Sequence, residues 1–275
     1  MKKAKKILAV ILAVLMVCVS FAACSKSNDA ADTTAADNTE ATASAYDAIV
    51  AKGTLVVGIT NYEPMDYKDA KTGEWTGFDA EFATAVAEKM GVKVEFVEIN
   101  WDNKFIELNS GTIDCIWNGM TITDSVKTNC DVSNPYAENS QVVVMKKDKL
   151  DSYKTTDSLK DIAIAVEKGS AGEAEAKKLT SNVISLTAQS DALKEVKSGT
   201  ADACIIDSTM ANSMTADGKD FDDLGYTLKL TTEQYGIGFK KGTDMAEKIN
   251  PMIDELKADG TLQKLSDKYY IDLAE

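Results

Sequence analysis

Two stretches of this chain repeat one pattern, and that repetition restricts the fold more than any other feature. Residues 105–119 and 191–207 each carry Ser-Gly-Thr-x-Asp followed by a cysteine-containing apolar run, at Ser110–Asp114 and Ser198–Asp202. In each copy an apolar-periodic stretch (Phe105, Ile106, Leu108; Leu193, Val196) ends at a glycine, Gly111 or Gly199, placed to stop a helix in the left-handed conformation. The apolar runs that follow, Ile113–Ile116 and Ala201–Ile206, are too short for helices and too apolar for loops, and fit buried parallel strands. Two similar α/β lobes are therefore expected. Ligands of open α/β sheets bind beyond the carboxyl ends of the strands. Aligning the two copies puts Gly119 and Asp207 at matching strand ends, which predicts a cleft between the lobes.

The N-terminal residues 1–23 read as a secretion signal, with Lys2, Lys3, Lys5 and Lys6 ahead of the apolar run 7–19. That run is short for a membrane span. Ala22 and Ala23 precede Cys24 as in a bacterial lipobox, with Phe21 where leucine is commoner, so Cys24 is expected to be lipidated; ordinary secretion with nearby cleavage is the alternative. Residues 24–45, rich in Ala, Thr, Asp and Asn, read as a tether with almost nothing to bury. A net charge of -14, more negative still without the four leader lysines, argues against a nucleic-acid partner. The chain has no histidine, which removes Ser/His/Asp and Cys/His nucleophiles and histidine-based zinc sites. No metal or cofactor is expected. Cys115 and Cys204 read as buried thiols, with a Cys115–Cys130 disulfide open as an alternative.

Along the remaining chain, a short helix ending at Gly53 leads into a strand over 54–59. A turn-rich segment over 61–77 follows, then an amphipathic helix over 79–90 capped by Gly91, and a strand over 92–99. The first lobe thus reads β-α-β-α-β, the doubly wound parallel pattern. Beyond residue 141 come a strand at 162–166, a tight turn at 169–172 into a helix over 173–179, and a strand at 183–186. An extended segment at 235–239 and two helices between 243 and 269, separated by Gly260, complete the chain.

With these elements in place, the region after the tether resembles the extracellular solute-binding protein family 3, the polar amino-acid receptors of ABC importers. The resemblance rests on the ordered set Val56–Tyr67, Gly77–Val92, Trp101-Asp102, Gly119–Thr123, Asp131–Tyr136, Gly169–Glu173, Ser198–Asp207 and Tyr235–Gly242. It implies an α/β, two-lobed periplasmic-binding-protein-like type II fold, two doubly wound sheets joined by two hinge strands. Lobe 1 is then 46–140 with 236–275 and lobe 2 is 141–235, with hinges near 138–143 and 231–236. It also implies a monomer on the extracytoplasmic face of the bacterial membrane, serving the transmembrane subunits of an ABC permease.

The same resemblance assigns candidate ligand contacts. Tyr62 and Trp101 match aromatic positions that sandwich a ligand side chain, by apolar contact or cation-π attraction. Gly119 and Thr121 match contacts to the amino and carboxylate groups. Asp207 matches the acid that pairs with an α-ammonium, with an N-cap role ahead of a helix as the alternative. Ser170 and the amides of 169–172 form a helix start able to hold a carboxylate. Glu167 is a second acidic candidate, or a solvated loop charge, and Asn118 and Asn139 are further polar candidates.

One departure stands out. Members that bind α-amino acids usually carry an arginine a few residues after the Thr-Ile-Thr motif, where this chain has Val126; it contains no arginine anywhere. Either the Ser170 turn and Thr121 hold the carboxylate, or the ligand lacks a conventional one. The leading expectation is capture of a small polar, amine-bearing solute. The alternatives are a dehydratase acting on small carboxylates such as cyclohexadienyl compounds, and a sensory or scavenging module without its own permease.

Overall fold

In the computed structural model, residues 44–275 are described; the signal, Cys24 and most of the expected tether lie outside them. The described residues form two five-stranded sheets, a two-stranded connection between them, and a small two-stranded sheet of Tyr67–Lys68 and Trp75–Thr76. In the first sheet the strands lie in the order Lys93–Glu98, Thr54–Ile59, Cys115–Ile116, Gly238–Lys240 and Cys130–Val132. The first three are mutually parallel, and Gly238–Lys240 runs antiparallel to both its neighbours. The second sheet runs Val183–Leu186, Ile164–Glu167, Ala203–Asp207, Gln141–Lys146, Leu224–Lys229, with its first three strands parallel and the last two pairings antiparallel. The chain passes between the sheets twice, through Ala137–Asn139 and Glu233–Tyr235. These pair antiparallel, with Glu233 opposite Asn139 and Tyr235 opposite Ala137.

The doubled motif performs the same local task in both lobes. The helix Lys104–Ser110 stops at Gly111 (φ 80°) and the helix Gln189–Ser198 at Gly199 (φ 85°). A side chain at that φ would be strained, which is why glycine stands there. Each serine hydroxyl turns back on its helix, Ser110 donating to the Glu107 carbonyl and Ser198 to that of Glu195. Each aspartate then brackets the neighbouring strand. The Asp114 amide donates to the Val56 carbonyl while its carboxylate accepts from the Val56 amide, and Asp202 does the same with Ala163. Ser-Gly-Thr-x-Asp is thus a helix stop joined to a strand clamp, and it fixes where the following strand begins.

The first lobe buries Phe82 edge-on against Trp117, with ring centroids 4.8 Å apart, beside Phe78 and Tyr136. Helices Phe78–Met90, Met245–Ala258 and Thr261–Tyr269 cover this core. The second lobe has its own cluster around Val143, Ile164, Val166 and Ile205. Cys115, Cys130 and Cys204 are buried free thiols.

Two local expectations change. The extended segment expected over 235–239 divides at Gly236 into a hinge strand and a lobe strand; a β-carbon on Gly236 would stand 2.6 Å from Val132 Cγ1. The strand expected at 162–166 lies at Ile164–Glu167, so Glu167 is not a solvated loop charge but the buried last residue of a strand, 3% exposed.

Candidate functional site

A cavity of about 360 Å³ lies at the carboxyl ends of the strands, lined by both lobes. The first lobe contributes Trp101, on a short 3-10 turn capped by Asn100, with Lys104 and Phe105 at the start of the next helix. Gly119, Thr121 and Val126 continue that wall. The second lobe contributes Gln141, Glu167, the Gly169–Ala171 turn, Gln189 and Asp207.

Asp207 is the most elaborately held of these groups. It occupies the N-cap position of the helix Ser208–Met214, yet its side chain caps no amide of that helix. Its Oδ1 instead accepts from the side-chain amides of Asn139 and of Gln141, the latter at 2.7 Å, and its Oδ2 accepts from the Gln189 amide. Burial, with Glu233 nearby, pushes the carboxyl up to about 6, and the three amide donors pull it back. Asn139 and Gln141 also donate to Glu233 Oε1, at 2.7 and 2.6 Å, so one pair of carboxamides bridges two carboxylates at the hinge. Sequence reasoning missed Gln141, Gln189 and Glu233. They come from a hinge-side strand, a helix start and the returning hinge, and no spacing links them.

Glu167 lies close enough to Asp207 to be affected by it. Burial and the Asp207 charge push its carboxyl up to about 8, against the pull of Lys104. Among the described residues its Oε1 has no hydrogen-bond partner. Glu173, one turn into the following helix, ties the turn down, accepting from the Gly169 amide at 3.1 Å and pairing with Lys177 at 3.0 Å.

Several sequence candidates lie in the cavity wall with their polar groups already engaged. Thr121 donates its hydroxyl to Glu233 at 3.0 Å. Asn118 turns its side chain inward, donating to the Thr60 carbonyl and to Asp66 Oδ2 and accepting from the Thr60 hydroxyl, so only its backbone faces the cleft side. The Gly119 amide donates to Asp79 at 2.6 Å, leaving its carbonyl as the available group. At the Ser170 turn the serine hydroxyl caps the Glu173 amide and the Gly169 and Ser170 amides bond within the turn, which leaves Ala171 and Gly172 as the first-turn donors.

Tyr62 is placed differently from Trp101. Its ring is buried but does not line the cavity; it packs behind Gly119, with its hydroxyl 2.5 Å from that of Thr209 and 2.6 Å from that of Tyr235. The segment 61–66 folds inward, with Met65 and Asp66 fully buried and Tyr62 paired to Asp66 through both amides, so the ring is carried into the lobe contact. Phe105 stands in the cavity wall with Trp101.

The lobes meet around this cavity. Lys104 reaches the Gly169 carbonyl at 2.9 Å, Asp102 pairs with Lys168 at 2.9 Å, and Glu63 pairs with Lys219 at 3.2 Å. Two α/β lobes joined by a double hinge, closed over a cavity with buried carboxylates, define a binding protein that encloses its ligand by lobe closure. The model of the bacterial extracellular solute-binding proteins, family 3, matches residues 55–272, and the chain belongs to that family. It is 31% identical over 274 residues to the L-cystine-binding protein TcyA of Bacillus subtilis, covering 94% of this chain and 96% of that one. Among solved structures it is similar to a mutant of ArgBP from T. maritima, at 34% identity and a TM-score of 0.76, covering 82% and 99% of the two chains. It is also similar to the ancestral amino acid-binding protein AncCDT-1, a precursor of cyclohexadienyl dehydratase, at 35% identity and a TM-score of 0.76, covering 82% and 99%.

Proposed function

We propose that this chain captures an amino acid, or an amine-bearing derivative, outside the cell and presents it to the transmembrane subunits of an ABC importer, held at the membrane by lipid on Cys24. The observation that carries the reading is Asp207. A buried carboxylate whose helix-capping role is unused, and which three side-chain amides hold in its charged form, suits a ligand ammonium at the closed cleft. Trp101 and Phe105 supply apolar contact, and the Gly119 carbonyl and the Ala171 amide offer an acceptor and a donor. Relatives named for binding cystine and arginine support an amino-acid ligand.

The ligand acts by preferring the closed state, so it shifts an equilibrium between open and closed lobes. We read the site as binding rather than catalytic: dehydration of a small carboxylate calls for a firmly anchored carboxylate beside an acid, and the position usual for the anchoring arginine is filled by apolar Val126.

A thermal-shift screen of the solute-free protein against amino acids and polyamines tests this. A ligand present at a hundredfold excess over its Kd stabilises by about 2.7 kcal/mol, which is readily detected; silence across the library rejects the amino-acid reading. Anchoring is tested separately: Cys24→Ala releases the protein from the membrane fraction if the lipid holds it there.

A further inference from the structure

The cavity already contains a cation. Lys104, at the first turn of its helix, is 6% exposed, and its ammonium stands 4.7 Å from the centroid of the Trp101 ring and 5.0 Å from that of Phe105. It donates to the Trp101 carbonyl at 3.1 Å and, across the cleft, to the Gly169 carbonyl at 2.9 Å. An ammonium has three N–H donors, so among the described residues one is left for a further acceptor. The aromatic surface that could attract a cationic ligand side chain is therefore occupied by the protein's own positive charge.

The opposite wall is acidic. Glu167 and Asp207 lie in the second lobe, and the charge of Glu173 is met by Lys177. With the Glu167 carboxyl pushed up to about 8 by burial, Asp207 and Lys104 remain the two opposed charges at neutral pH. A cavity with one buried negative and one buried positive group fits a zwitterion. A second ligand cation would sit against Lys104 with little water to screen it.

We propose that Lys104 determines specificity: by taking the cation position between Trp101 and Phe105 it excludes solutes with a second positive group, such as arginine, lysine and diamines, and offers its remaining N–H to an anionic or neutral acceptor of the ligand. This rests on the amino-acid reading of the same cleft and narrows it to zwitterions with neutral or acidic side chains. It also gives a chain without arginine a positive group in the cavity.

The test is a binding panel at pH 7 on the solute-free mature protein, by isothermal titration, with neutral, acidic and cationic amino acids and putrescine. Wild type, Lys104→Arg and Lys104→Met are compared. Wild type is expected to bind at least one neutral or acidic amino acid at least 100-fold more tightly than arginine, lysine or putrescine. Lys104→Arg keeps that preference, and Lys104→Met lowers the ratio at least tenfold. The proposal is overturned if wild type prefers a cationic amino acid, or if Lys104→Met, or Lys104→Gln should the methionine variant not fold, leaves the ratio unchanged. Cationic preference leaves amino-acid capture standing; no binding by any member of the panel overturns both.

Discussion

Gly119 and Tyr62 occupy each other's space: a β-carbon on Gly119 would stand 2.6 Å from Cε1 of Tyr62, and 3.2 Å from Tyr235 behind it. Gly119 also adopts a φ of 55°, in the left-handed region. Glycine at this strand end therefore serves two purposes, a backbone turn and a flat seat for the ring that touches the other lobe.

Gly119→Ala is expected to destabilise the protein by about 2–4 kcal/mol, combining left-handed strain with overpacking in a filled site. Ligand affinity should fall as well, because the displaced Tyr62 ring loses its hydroxyl contact with Thr209. Chemical denaturation and titration calorimetry measure the two effects. A variant as stable as wild type would show that the neighbouring rings yield freely.

The Tyr62 hydroxyl joins Thr209 of the second lobe to Tyr235 of the hinge. Tyr62→Phe keeps the ring and removes that link, which is worth about 0.5–1.5 kcal/mol for an ordinary hydrogen bond. Small-angle scattering of the ligand-free protein should show a more open average shape, and affinity should weaken a few-fold to about tenfold. Unchanged scattering and affinity would mean that the hydroxyl does not bias closure.

How much of this was legible in the sequence depends on the range over which the interactions act. Gly53, Gly91, Gly111 and Gly199 end helices in the left-handed conformation, as glycines after apolar-periodic runs should, because a helix stop is a local event. Asp207 was legible through its strand-end position. Lys104 was not: a lysine beside a glutamate-containing helix reads as a solvated charge, and what buries it is the turn at Gly169, which folding brings to it from the other lobe. Its spacing from Trp101, three residues back across the 3-10 turn that leads into its helix, was the available signal. Gln141 and Gln189 had none, since their common partner is created only by the second sheet. The direction of the Tyr62 ring was not legible either, because the resemblance fixes a residue's position along the chain, whereas the inward fold of 61–66 decides where the ring points.

Asp207→Asn removes the charge and keeps the shape. For an amine-bearing ligand the expected loss is about 3 kcal/mol, on the order of 100-fold in Kd, as for one partner of a buried charged pair. The wild-type carboxyl lies at about 6 when the cleft is empty. Ammonium binding favours the ionised form, so affinity should hold above that value and weaken as pH falls through it, approaching tenfold per unit. Calorimetric titrations from pH 5 to 7.5 on both proteins provide the check. An unchanged Kd in the variant, or a wild-type Kd indifferent to pH, assigns the ammonium elsewhere.

Stability of the ligand-free protein should rise on mild acidification. Burial pushes Asp207 up to about 6, Asp79 to about 7 and Glu167 to about 8, and it raises Asp66 as well. In the unfolded chain these carboxyls return to their ordinary range near 4, so between that range and the folded values the native state binds more protons. The unfolding free energy therefore falls as pH rises through the folded values. Lys104, lowered to about 8 by burial, works the other way only above that pH, where the native state binds fewer protons than the unfolded chain. Between pH 7.5 and 5.5 the carboxyls decide the sign. Scanning calorimetry should show Tm rising by at least about 2–4 °C over that interval, the shift expected for about 1 kcal/mol in a domain of this size. A saturating amine ligand should flatten the rise by holding Asp207 ionised. A Tm that falls on acidification from 7.5 to 5.5 would show that these carboxyls are solvated or paired in the native protein.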